Sequence, residues 1–203
     1  MTMGQTFREG ILVKLRSAAA AALALTLLAG SFRTAVVHGD DRQARADMAI
    51  AATFAGMGFG NAGVHIPHAN AYPIAGQVKD FHPKDYPAGE SMVPHGMSVG
   101  LTAPEAFRFT FDSSPERHLR AAELLEPGAE RPSDLSTFLP TVLARLMRDV
   151  ELPNGIAAVG YDEGDIGDLV DGTMKQQRLL ATCPKDVTED DIAGIFRRSM
   201  ELW

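Results

Sequence analysis

Four side chains in the first half of the sequence could do chemistry. His65 and His68 stand three positions apart, Tyr72 follows His68 by four, and His95 opens a later apolar stretch as Val93-Pro94-His95-Gly96. On a helix, His65, His68 and Tyr72 share one face. Two imidazoles from neighbouring elements can converge on one cation, and imidazole suits iron, zinc, nickel or copper. A complete site needs a third or fourth ligand, and such a pair can equally be buried, hydrogen-bonded core. Just before the histidines, Gly58-Phe59-Gly60-Asn61-Ala62-Gly63 matches G-x-G-x-x-G. That pattern grips a dinucleotide only between a strand and a helix, with an acid about 20 positions on. Here AIAATFAGM precedes it in a helical pattern, and Asp80 lies in a proline-rich stretch. The glycines read better as close-packing positions, where another backbone or a ligand can approach. His38, His82 and His118 sit beside charged or turn residues and read as surface positions.

The elements that must carry these residues are helical. Asp40-Asp41 precedes RQARADMAIAATFAGMGF, in which Ala44, Met48, Ala51 and Ala52 recur at helix spacing. Residues 77–93 read as a long loop, and Ser98 to Phe111 as one apolar helix. Ser113 and Glu116 have capping-box spacing around Pro115. The stretch from Leu135 to Val150 is helical, with Pro140 in its first turn or kinking it. Leu152-Pro153-Asn154-Gly155 is a turn, Asp162 to Asp171 a short helix, and Thr188-Glu189-Asp190-Asp191 the cap of a last helix. No stretch alternates with the period of a sheet. The expected fold class is all-α, with about six to eight helices.

Composition sets the outer bounds. The chain has 203 residues, 45% hydrophobic and 22% charged, with a net charge of −7. That is an ordinary globular balance, and it argues against nucleic acid as a partner. The one cysteine, Cys183, builds neither a disulfide framework nor a Cys-based zinc site and reads as a packing residue. Near the start, Arg8, Lys14 and Arg16 precede AAAAALALTLLAG, Ala18 to Gly30. This imitates a secretory signal but is too short to span a bilayer; the rival is a packed helix. The expected location is cytoplasmic, with export as the alternative and no membrane partner.

Several stretches together resemble a known family. AATFAGMGFGNAGVHIPHANAYPIAG, VPHGMSVGLTAPEAFRFT and SPERHLRAAELL, with DDRQARADM before them and GIAAVGYDEGDIGDLVDGT after, are similar to the C-terminal half of the iron-containing (group III) alcohol dehydrogenases. Within that family they resemble the branch typified by hydroxyacid-oxoacid transhydrogenase. The resemblance runs from about Ala20 to Trp203, so residues 20–203 are expected to form one domain, with residues 1–19 unassigned.

It implies an all-α, metal-binding C-terminal domain of the iron-containing alcohol dehydrogenase / dehydroquinate synthase-like fold, without the N-terminal α/β nucleotide-binding domain. It implies that His68, in H-x-x-x-[HY]-P-[LI]-x-G, and His95, in P-H-G, are metal ligands for Fe²⁺, with Zn²⁺ possible. Tyr72 would lie beside the cofactor ring, His65 would have no ligand role, and no residue is assigned as a catalytic acid or base. NAD would bind only with the other half. The family's substrates are small hydroxyacids or alcohols, and a separate nucleotide-binding half is the partner implied. The family's D-x-x-x-H ligand pair is absent before His65, as is its GGGS phosphate loop, and Pro67 sits awkwardly for a helical ligand. A helical domain without independent catalysis therefore remains an alternative, as does an exported helical binding protein.

Overall fold

The computed structural model describes residues 3–203 apart from Asp85 and Ala88, with side chains from Val13 onward except Lys14. The basic residues Arg8 and Lys14 of the signal-like stretch thus lie outside the described side chains. The described residues contain helices and turns and no strand. They form two compact units, Met1–Gly63 with Arg120–Glu130, and Val64–Leu119 with Arg131–Trp203.

The first unit is dominated by a helical hairpin. Helix α1 spans Met3–Val37 and α2 spans Arg42–Ala62. Between them the Asp41 carboxylate accepts from the Ala44 amide at 2.9 Å, the N-cap expected from the sequence. Ala20 and Ala24 of α1 are buried, as are Ala44, Ala51 and Gly58 of α2. Small side chains at helix spacing let two helix backbones come close. Of the glycines read as close-packing positions, Gly58 meets α1: a Cβ there would stand 3.5 Å from the Ser17 carbonyl oxygen and 3.6 Å from Ala21 Cβ. Gly56 and Gly60 have no atom within 4 Å of that point, and Gly63 instead ends α2 with φ 77°. The apolar run Ala18 to Gly30 is one part of α1. The helix extends well past it, and Leu15–Val37, with mean hydropathy 1.7, is long and apolar enough to cross a membrane by length and composition. The estimate that the run is too short to span therefore does not apply to the helix that contains it.

The second unit holds the histidines. Its helices are α3 Ile66–Gly76, α4 His95–Gly100, α5 Ala103–Thr110, the start of α6 Pro115–Leu125, α7 Phe138–Asp149, α8 Ile166–Met174, α9 Gln177–Leu180 and α10 Glu189–Arg198. Helix α3 packs on α4 and α8, α5 on α7, and α10 on α8 and α5. The core between them is made of large side chains without exposure, among them Ile66, Ile74, Leu101, Leu169, Ile195 and Phe196. Half-buried Cys183 packs against this core, with its thiol pKa raised by burial.

Local signals explain most boundaries. Thr188 and Asp191 form a reciprocal capping box, and Asp162 and Asp165 form another. The turn at Leu152 to Gly155 requires its glycine: φ is +76°, and a Cβ would run into the carbonyl oxygens of Ser199 and Met200. Next to it, Asn154 Oδ1 accepts from the amides of Leu202 at 2.7 Å and Trp203 at 3.1 Å.

Two expectations need correction. The stretch Ser98 to Phe111 is two helices, α4 and α5, and with the short α9 this gives ten α-helices among the described residues instead of six to eight. Pro104 is the reason for the break: it has no amide to continue α4 but fits the first turn of a new helix. At α6, Ser113 belongs to the 3₁₀ turn Phe111–Ser113, and Ser114 is the residue before Pro115.

Candidate metal centre

Helix α3 begins where proline chemistry dictates. His65 is its N-cap residue, and Pro67 stands in the first turn, where its missing amide hydrogen would have no helical partner anyway. The amides of His68 and Ala69 both donate to the His65 carbonyl, at 2.9 and 3.0 Å. Pro67 therefore does not distort the position of His68; it presets the turn that carries it. His95 is the first residue of α4, directly after Pro94 with φ −54° and ψ 144°. The Ser98 hydroxyl, 3.2 Å from the carbonyl oxygens of both Val93 and Pro94, fixes the chain entering that helix.

These two helix starts bring His68 and His95 together. Their ring centroids are 5.5 Å apart, with planes at 62°. His68 is half-buried and His95 exposed. Burial, and then the neighbouring His95, lower the His68 pKa below the ordinary imidazole value. That favours the neutral ring, the form with a nitrogen lone pair to give to a metal. Tyr72 lies one helical turn beyond His68 and is 51% exposed.

His65 takes a different direction. Its ring stands edge-on to Phe107 at 6.0 Å, and its buried Nδ1 has no hydrogen-bond partner. Burial, then His68 and His118, lower its pKa. His118 is the residue misread as surface. It is half-buried, its ring set against Phe107 at 5.9 Å and Phe111 at 5.8 Å. Its Nδ1 lies 2.9 Å from the Ser114 carbonyl oxygen and its Nε2 3.1 Å from Thr110 Oγ1. The turn that starts α6 folds this histidine back onto α5, which its polar sequence neighbours did not reveal. His38 and His82 are exposed, as expected; His82 Nε2 lies 3.3 Å from Asp80 Oδ1.

Among the described residues no group of three or more His, Cys, Asp or Glu side chains is placed to hold a metal ion. Two adjacent imidazoles, one with its pKa lowered by burial, nevertheless suit two ligand positions of an Fe²⁺ or Zn²⁺ site. The polar residues that the sequence reading missed are Asn70, Thr102 and Thr173, all without exposure. Asn70 Nδ2 donates to Thr102 Oγ1 at 3.2 Å, and Thr173 Oγ1 donates to Asn70 Oδ1 at 3.1 Å. The available signal was a carboxamide amid the apolar residues of IPHANAYPIAG.

The second unit is thus a helical unit that presents two imidazoles side by side. Residues 17–200 match the Fe-containing alcohol dehydrogenase family, C-terminal, and the chain belongs to that family. It is similar to the mitochondrial hydroxyacid-oxoacid transhydrogenases of Bos taurus, 42% identical over 182 residues, and Homo sapiens, 45% identical over 184; each alignment takes in 89% of this chain. The chain spans about 39% of the length of these relatives. Among solved structures it resembles a 1,3-propanediol oxidoreductase, at TM-score 0.77 and 28% identity over 90% of this chain and 45% of that one. An alcohol dehydrogenase from Oenococcus oeni is similar at TM-score 0.77 and 27% identity, over 89% of this chain and 44% of the other.

Proposed function

We propose that this chain is the metal-holding helical part of an oxidoreductase that moves hydride between a hydroxy compound, alcohol or hydroxyacid, and NAD or an oxoacid. His68 and His95 are its two imidazole ligands, and Tyr72 faces the cofactor. The observation that carries the reading is the approach of the two rings, at 5.5 Å, from two separate helix starts. Further support comes from family membership and from the names of the relatives, which are transhydrogenases acting on hydroxyacids and oxoacids. A bound Fe²⁺ or Zn²⁺ would supply Lewis-acid polarisation of a substrate oxygen. The chain's own part is to present two imidazoles on helix starts and to leave the side toward exposed Tyr72 open to reactants.

NAD and the remaining ligands belong in this reading to an α/β segment like that of the whole family members. Residues 20–203 are then the helical domain, and residues 1–19 have no proposed role. For location, the relatives' names point to mitochondria, which the expectation of a cytoplasmic or exported chain did not include.

Titration calorimetry with Zn²⁺ tests the ligand assignment. Binding should be weak, as expected of two imidazoles, reduced in His68→Ala and in His95→Ala, and little changed in His65→Ala. Binding abolished by His65→Ala alone would show that the ligands are wrongly assigned. A second reading, a helical domain without catalysis of its own, is favoured by the absence of a three-ligand group among the described residues. On that reading the purified 203-residue chain shows no NAD-dependent oxidation of alcohols or hydroxyacids. Turnover that disappears in His95→Ala would overturn it.

A further inference from the structure

We propose that Asn70 is a positioning residue for the His68–His95 pair. Its buried carboxamide ties α3 both to the chain that leaves α4 and to α8, and so sets the rotation at which His68 meets His95. The proposal rests on the reading of that pair as metal-holding.

Asn70 follows His68 by two positions, which on a helix is about 200° of rotation. The two side chains therefore leave opposite faces of α3. Asn70 has no exposure, whereas His68 is half-buried. The partners of Asn70 lie far apart in sequence. Thr102 is separated from the last residue of α4 by Leu101 alone, and Thr173 sits in α8. One hydrogen bond thus links the helix of His68 to the segment that carries His95, and the other links it to a second helix.

The packing around this bridge is apolar on most sides, with Ile66, Ala69 and Ile74 of α3 and Leu101 and Leu169 opposite all in one core. Apolar packing is not directional, and α3 has only 11 residues. A roll of about 20° would swing a ring lying well outside the 2.3 Å Cα radius by roughly 2 Å, far beyond the few tenths of an ångström that a metal–ligand distance tolerates. Two hydrogen bonds to two different elements cannot both survive such a roll. The carboxamide supplies the angular information that the aliphatic core lacks.

The test is Zn²⁺ titration calorimetry on the 203-residue chain, with circular dichroism and thermal melting alongside. Asn70→Leu keeps the size and removes both bonds. Thr102→Val and Thr173→Val each remove one, and Thr102→Ser and Thr173→Ser restore the hydroxyl. The expected result is a loss of Zn²⁺ affinity of about tenfold in Asn70→Leu, on the scale of outer-shell changes at metal sites. A smaller loss is expected in each valine variant and recovery in each serine variant, with helical content unchanged throughout. If Asn70→Leu does not fold, the valine and serine pairs decide. Folded variants that bind Zn²⁺ as tightly as wild type would overturn the proposal, as would serine variants no better than valine. A wild-type chain that binds no more tightly than the His68→Ala/His95→Ala double variant would overturn the metal reading beneath it. That outcome is distinct, because wild type itself then fails.

Discussion

The α1–α2 hairpin and the unit that carries His68 and His95 are both helical, but they are held together by different means. The hairpin buries alanines and Gly58 along its seam and leaves Leu23, Val37, Ile50, Met57 and Phe59 exposed. The histidine unit buries Phe196, Ile66, Ile74, Leu101 and Leu169 without exposure and adds the Asn70–Thr102–Thr173 bridge. Small residues give close approach with little apolar area; large ones give area and, when interlocked, a fixed geometry. Side chains that must stay in register to a fraction of an ångström belong on the second kind of scaffold.

Emptying the large core should give the greatest effect. Phe196→Ala should destabilise by about 3–5 kcal/mol, whereas Ala51→Gly in the hairpin seam should cost about 1 kcal/mol. Urea denaturation of the two variants compares the units directly, and equal losses would break the contrast.

Acid should act next, and through the histidine unit. Burial lowers the pKa of His65 and of His68 below the ordinary 6.5. The unfolded chain therefore binds more protons than the folded one in this range, and stability rises with pH. This contribution is present above about pH 6.5, the ordinary imidazole value, and is lost as pH falls through the lower folded values. The melting temperature should drop on acidification below that point, and drop less steeply in His65→Asn. An identical pH slope in the variant would remove His65 from the account.

A smaller effect, of opposite sign, is expected in the hairpin. A Cβ on Gly58 would meet α1 at ordinary contact distance, 3.5 Å from the Ser17 carbonyl oxygen. Gly58→Ala should stabilise by about 0.5–1 kcal/mol by removing a glycine from a helix interior. A loss in chemical denaturation would mean that the seam is tighter than a methyl group.

The smallest effect should come from Lys79→Ala. Lys79 Nζ lies 2.6 Å from Asp165 Oδ2, and the bond raises the lysine pKa and lowers the aspartate's, but the lysine side chain is exposed. Exposed pairs are screened by water, so the melting temperature should move less than in Gly58→Ala. A larger shift would mark the Asp162–Asp165 cap as a stability element of the histidine unit.

What could be read in the sequence was whatever depends on residues within a turn of one another. Asp41, Asp162 and Thr188 cap their helices because an oxygen side chain meets an amide two or three residues on. The all-helical class and the family motifs around His68 and His95 were legible for the same reason: each motif is contiguous. The break at Thr102 could also have been read, since Pro104 signals it, but the apolar pattern on both sides masked it.

Other features needed the folded chain. His68 and His95 are 27 positions apart by number, and only the packing of α3 on α4 brings their rings to 5.5 Å. His118 sits half-buried against phenylalanines because a turn folds it back, although its sequence neighbours are polar. Asn70 bonds to residues 32 and 103 positions away. The sequence by itself determined the all-helical class, the caps at Asp41 and Thr188 and the family; the tertiary structure decided which faces meet. The physical reason is range: caps and helix hydrogen bonds close over a few residues, whereas burial and buried polar pairing depend on which distant segments exclude water together.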